Sequence, residues 1–179
     1  MRTQAQWEKI YFKAIKTLPP RLQSDIIEFP PPGELPEYGS YYIYGPAGSG
    51  KTILAAQMWI AAKNHIYFNK LPGHAMFLSM PEFFLDLKKT YGSPELDEIT
   101  VLAACSEVEF LVLDDLGSEH STEWMKSWLY LLINRRYEYE RPTVITSNYS
   151  LHELDAQLGD VRVPTRIKRM CKMIKRKKK

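Results

Sequence analysis

Gly45-Pro46-Ala47-Gly48-Ser49-Gly50-Lys51-Thr52 spells G-x-x-x-x-G-K-T, a spacing suited to holding a phosphate chain. Glycines let the backbone turn so that successive N–H groups aim at phosphate oxygens. A helix starting at the end of the loop adds partial positive charge. Lys51 would reach the β/γ-phosphates of a nucleoside triphosphate, and the Thr52 hydroxyl would ligate Mg²⁺. Residues 45 to 52, with Ile53 next in line, form the candidate nucleotide contacts. A glycine-rich turn with a chance lysine is the alternative. The setting argues against it, because the apolar run Tyr41 to Tyr44 precedes the loop and a helix-forming run, Ile53 to Lys63, follows.

Asp114-Asp115 closes the apolar run Phe110 to Leu113. Asp114 stands where a carboxylate could hold Mg²⁺, through a water because Mg²⁺ keeps much of its hydration shell. Asp115 is placed to polarise an attacking water. Two acids after a strand can also simply cap a turn. Glu119 is a weaker third acid, more simply a helix-start residue. Asn148 follows another β-branched run, and its amide could orient the lytic water or touch the γ-phosphate. It also heads the sequon Asn148-Tyr149-Ser150, which an intracellular placement makes accidental. Arg162 and Arg166, four apart near the end, could supply a cation to phosphate in a neighbouring subunit, or be solvated helix charges. His65, His74, His120 and His152 lack metal-ligand spacing.

The elements that must position these groups alternate. Trp7, Ile10, Tyr11, Ala14, Ile15 and Leu18 make an amphipathic stripe over residues 3 to 18, ended by Pro19-Pro20. Leu22 to Phe29 is a further short element before the Pro-rich loop around 30–36. A loop is expected over Asn64 to Gly73 and a strand over Ala75 to Leu78. A helix from Pro81 would carry Phe83, Phe84, Leu87 and Tyr91 on one side, with Lys88 and Lys89 exposed. Glu95 to Ser106 reads as a helix. So does Thr122 to Glu140, with Trp124, Trp128, Leu131, Leu132 and Arg135 along one flank and Pro142 ending it. Thr143 to Thr146 is a strand. Ser150-x-x-Glu153 is a capping box. Arg162 to Met170 is a last helix and Lys172 to Lys175 an edge strand. Strands alternating with helices predict a three-layer α/β domain around a mostly parallel sheet. Ligands of such sheets bind at the carboxyl ends of the strands, so the glycine loop, Asp114-Asp115 and Asn148 should converge there.

Composition adds limits. With 179 residues, 45% apolar and 25% charged, the chain reads as a single globular domain, 1–179. No run approaches the roughly 18 apolar residues of a membrane span, and the start lacks a signal-peptide core. Cys105 and Cys171 suggest neither disulfide framework nor metal site. A cytoplasmic location is expected. Ten of the 24 Lys/Arg residues and no acid fall in 161–179, a basic end on an acidic body. Such an end attracts polyanions, unless it is only a solvated terminus.

One resemblance is specific. The run Leu113-Asp114-Asp115-Leu116-Gly117-Ser118-Glu119, then Glu123-Trp124, Ile133-Asn134-Arg135-Arg136-Tyr137 and Pro142 to Asn148 resembles the DnaC/DnaI/IstB branch of AAA+ ATPases. So does Leu154 to Gly159, followed by Asp160 and the Arg162–Arg166 pair. These are helicase loaders of replication and ATPases that assist transposases. The likeness covers roughly 18 to 175. It implies a sheet of order 5-1-4-3-2, ATP and Mg²⁺ bound between subunits of a ring or spiral, and hydrolysis of ATP. It makes Asn148 similar to a γ-phosphate sensor, and Arg166, or else Arg162, similar to an arginine finger. Residues 80 to 106 match an extra helical insertion that handles single-stranded DNA or drives stacking in relatives. Lys88 and Lys89 are its DNA candidates; Tyr91 or Phe84 could stack on a base, although core packing is the expected role for each.

Two departures are expected from the sequence as given: only about 44 residues precede the loop, where relatives that load a helicase usually carry a separate grip domain, and no C-terminal lid is expected, as in the family's lidless members. The function implied is a DNA-replication ATPase acting as an oligomer on single-stranded DNA, with a replicative helicase as partner. An ATPase that recruits a transposase and a non-hydrolysing, nucleotide-dependent interaction module are the alternatives.

Overall fold

Side chains along the strand Phe110–Asp114 alternate between two separate cores, and this alternation sets the layers. Phe110 and Val112 face one core, Leu111 and Leu113 the other, as the two-residue period of a strand requires. The computed structural model describes residues 16–29, 35–69, 73–89, 98–118 and 122–178. Of the predicted 3–18 helix, all but 16–18 lies outside the described residues, as do Glu119, His120 and Tyr91.

In chain order the elements are α1 (Pro20–Glu28), β1 (Tyr41–Tyr44), α2 (Lys51–Phe68), β2 (Ala75–Ser79), α3 (Met80–Lys89) and α4 (Glu98–Glu107). They continue with β3 (Phe110–Asp114), α5 (Glu123–Glu138), β4 (Thr143–Ser147), α6 (Leu151–Leu158), α7 (Arg162–Met170) and β5 (Lys172–Lys175). The five strands run in the order β2-β3-β4-β1-β5, which is the expected order. Every pairing is parallel, with Ile43 opposite both Thr146 and Ile174. "Mostly parallel" thus becomes wholly parallel among the described residues. β3 and β4 are buried throughout, as strands covered on both faces must be.

One face packs on α1 and α2, through Ile26, Leu54, Met58, Trp59 and Ile66. The other packs on α3 to α7, through Phe84, Trp128, Leu132, Leu154 and Ile167. At about 25 cal/mol per Å² of apolar surface, these two layers supply the main folding force and leave the strand ends as the exposed rim.

Several boundaries differ from the sequence reading. α2 continues through Asn64 to Phe68 where a loop was expected. Buried Ala62 and Ile66 carry on the helical face begun by Ala55 and Trp59, and this outweighs the polar Asn64 and His65. α5 ends at Glu138, and Glu140 takes a left-handed φ of 50°. The stop is therefore a backbone reversal rather than Pro142. Its inner face also differs: Leu131 is exposed, and Arg136, not Arg135, is wholly buried. Phe84 packs edge-on against Trp124 and Trp128 and is 2% exposed, so it is not available to stack on a base. The capping box at Ser150 and Glu153 forms as predicted.

Candidate nucleotide-binding site

The glycine loop leaves β1 at its carboxyl end, beside the end of β4. The Gly45 N–H donates to the Ser147 carbonyl (3.3 Å), and within the loop the Ser49 N–H donates to the Pro46 carbonyl (3.3 Å). Gly50 sits at φ 78°, a left-handed turn that glycine adopts without a Cβ penalty. α2 then begins at Lys51, so its first N–H groups face the loop.

Lys51 is 7% exposed. Its Nζ donates to the Gly45 and Pro46 carbonyls and to Asn148 Oδ1, each at 2.9 Å. Burial lowers its pKa, and the Asp115 and Asp114 carboxylates oppose that shift. Thr52 Oγ1 lies 3.0 and 3.1 Å from the two oxygens of Asp114. Thr146 Oγ1 donates to Asp114 Oδ1 at 2.6 Å. Burial raises the Asp114 pKa even though both hydroxyls hydrogen-bond to the carboxylate.

Asp115 adopts φ 60°, an uncommon conformation for a residue with a Cβ. Two contacts hold it there. Its N–H donates to Thr146 Oγ1 (2.8 Å), and its Oδ1 accepts from Asn148 Nδ2 (3.1 Å). The Asn148 amide therefore bridges the Lys51 ammonium and the Asp115 carboxylate, and the Nζ contact fixes which end is oxygen.

Lys51, Thr52, Asp114, Asp115 and Asn148 thus meet at one rim of the sheet. Arg162 and Arg166 are placed on α7, which packs against α5. Arg162 pairs with Asp160 (2.8 Å) and lies over the Tyr130 ring. Arg166 Nε donates to Asn134 Oδ1 (2.8 Å), with its guanidinium by Tyr137. Lys88 is exposed on α3, and the side chain of Lys89 lies outside the described residues.

Sequence reasoning missed two residues. Thr146 reads as one more β-branched strand residue, yet its hydroxyl contacts both acids. A hydroxyl at the last inward position of a strand, level with Asp114, was the available signal. Arg176 was grouped with the basic end, but its Nε donates to the Ser49 carbonyl in the glycine loop (3.2 Å).

The residues fit a nucleotide and Mg²⁺. Ser49 Oγ is buried in the loop and has no hydrogen-bond partner among the described residues, as a group awaiting a phosphate oxygen would be. The adjoining hydroxyl and carboxylate of Thr52 and Asp114 are hard oxygen donors of the kind Mg²⁺ takes, usually with one or two carboxylates and substrate phosphates. Among the described residues no group of three or more His, Cys, Asp and Glu side chains could hold a metal unaided, and no helix is long and apolar enough to cross a membrane.

A family model described as IstB-like ATP binding protein matches residues 38–175. The chain belongs to that family. Its relatives include the replicative helicase loader DnaI of Bacillus subtilis (strain 168), 31% identical over 114 residues, which are 63% of this chain and 34% of DnaI. The replicative helicase loader DnaC of Escherichia coli (strain K12) is 27% identical over 122 residues, 68% of this chain and 47% of DnaC. The chain therefore spans between a third and a half of these two loaders. The crystal structure of the DnaC helicase loader aligns at a TM-score of 0.62 and 27% identity, covering 93% of this chain and 98% of that one. AMPPCP-bound DnaA from Aquifex aeolicus aligns at 0.61 with 18% identity, covering 98% of this chain and 48% of DnaA, a likeness of fold. The IstB-like chain thus has the AAA+ P-loop core.

Proposed function

We propose that this IstB-like chain is an ATPase that works as an oligomer on single-stranded DNA to help place a replicative helicase. The observation that carries the reading is the Asn148 amide, which links the buried Lys51 ammonium to the Asp115 carboxylate. One residue thereby touches both a phosphate-neutralising cation and a candidate base. Such a link can report the γ-phosphate to the group that acts on water.

In this reading Lys51 exchanges its loop carbonyls for β/γ-phosphate oxygens, and Gly45 to Ile53 cradle the chain. Thr52 and Asp114 would hold Mg²⁺, which when bound neutralises charge on the β- and γ-oxygens. Asp115 orients and polarises the attacking water, with Asn148 fixing its carboxylate. Arg166 is the better finger for a neighbouring subunit. Its hydrogen bond goes to a neutral amide, whereas Asp160 already neutralises Arg162. Lys88 and Lys89, with the basic end, would attract the DNA backbone. Two cores on one continuous sheet support reading 1–179 as one domain.

ATP turnover with and without single-stranded DNA tests this. Asp115→Asn should bind ATP as the parent does and lose turnover by about 10²-fold or more. Arg166→Ala should bind ATP but lose turnover, and mixing the two variants should restore part of it. No turnover by the parent under either condition would leave only the non-hydrolysing module. A second reading, an ATPase that recruits a transposase, rests on the sequence's resemblance to IstB, whose name the matching family model carries. Affinity capture that returns a transposase rather than a helicase would select it.

A further inference from the structure

We propose that Arg176 is a positioning residue of the phosphate site, setting the peptide plane that presents the Gly50 N–H to the nucleotide. The inference rests on the nucleotide reading above. Arg176 follows β5 directly and meets the glycine loop in three ways. Its N–H donates to the Tyr44 carbonyl at 2.7 Å, extending the β1–β5 pairing up to the loop. Its own carbonyl lies where a Cβ on Gly45 would stand, at 2.2 Å, so Gly45 must be glycine for the two backbones to approach. Its guanidinium donates to the Ser49 carbonyl at 3.2 Å, and Nη2 would stand 3.4 Å from a Cβ on Gly50.

The third contact gives Arg176 a role beyond packing. The Ser49 carbonyl and the Gly50 N–H belong to one peptide group. That group is planar and trans, so the two bonds point in opposite directions. A guanidinium that holds the carbonyl on one side turns the N–H to the other. The same charge-assisted bond polarises the peptide and makes that N–H a stronger donor. Gly50 needs such a restraint because glycine at φ 78° has little intrinsic preference to stay there. The restraint comes from the far end of the chain, so nucleotide binding is tied to the seating of β5.

The test is Kd for ATP with Mg²⁺, by titration calorimetry, for the full chain and for Arg176→Met, Arg176→Lys and Lys51→Ala. Arg176→Met keeps the aliphatic stem and loses the donors. It should weaken ATP about tenfold and move the Gly50 amide ¹H/¹⁵N resonance, with a melting temperature near the parent's. Arg176→Lys should recover part of the affinity. If Arg176→Met binds ATP as the parent does while Lys51→Ala has lost binding, the proposal is overturned and the nucleotide reading stands. If Lys51→Ala also binds as the parent does, both fall. Should Arg176→Met not fold, the Lys variant decides through the Gly50 resonance, and an unmoved resonance with unchanged Kd overturns the proposal.

Discussion

Two cations are buried at opposite rims of the sheet, and they are held differently. At the amino-terminal rim Arg136 is fully buried, and among the described residues its guanidinium donates only to neutral oxygens. Nη1 reaches the carbonyls of Cys105, Ser106 and Val108 at 3.0, 3.1 and 2.8 Å. Nη2 reaches Pro142, and Nε reaches Thr143 Oγ1. These contacts tie the end of α4 and the turn after it to the start of β4. Desolvation is the main cause that brings its pKa down to about 9. At the carboxyl-terminal rim Lys51 shares its donors between loop carbonyls and a side-chain amide, beside a strained Asp115 and a desolvated Asp114. The first charge is satisfied by the fold, and moving it would undo the fold. In the proposed function the second exchanges its partners for a phosphate chain, and the strain beside it suits a working site.

Breaking the Arg136 network should have the largest effect on stability. Arg136→Met would leave four acceptors without a donor, the carbonyls of Cys105, Ser106 and Val108 and Thr143 Oγ1, while the Pro142 carbonyl keeps the Leu111 N–H, at roughly 1 kcal/mol or more each. A loss of at least about 3 kcal/mol in urea unfolding is expected. A loss below about 1 kcal/mol would mean the network is incidental.

Asp114→Asn should act in the opposite sense. Burial raises this carboxyl's pKa in the folded chain above the usual 3.8. Its contribution to stability is fully present below that value and is lost as pH rises through the folded pKa. At neutral pH the ionised group therefore costs stability, and an amide removes that cost. Thermal melts at pH 7 should rise by about 2–4 °C, roughly 1 kcal/mol, with the gain shrinking towards pH 4 and ATP turnover lost at both. A lower melting temperature at pH 7 would show that the carboxylate's hydrogen bonds outweigh its desolvation.

The smallest expected effect concerns the cysteines. Burial pushes the thiol of Cys105, whose carbonyl holds Arg136, up to about 11 and that of Cys171 up to about 12. Neither should react with a thiol reagent at pH 8 until the chain unfolds. Rapid labelling of the native protein would mean that this rim opens more readily than its packing implies.

Much of this was legible in the chain itself. The glycine loop, Asp114-Asp115 and Asn148 each follow a short apolar or β-branched run, and a parallel sheet brings such positions to one rim. Helix ends were less legible where a signal had competition. Asn64 and His65 look like a loop, but a buried stripe carries α2 past them. Arg135 and Arg136 are indistinguishable by type, and the 100° between successive helix positions decides which one enters the core.

The sequence by itself determined the phosphate loop, the alternation of strands and helices, and the acids and amide at strand ends, because each depends on local spacing and residue type. Only the tertiary structure decided that Thr146 joins the acids and that Asn148 faces both Lys51 and Asp115. It also decided that Arg176 reaches the loop of Ser49 from 127 residues away. Those contacts cross between parallel strands, whose order and register depend on how both faces of the sheet are buried.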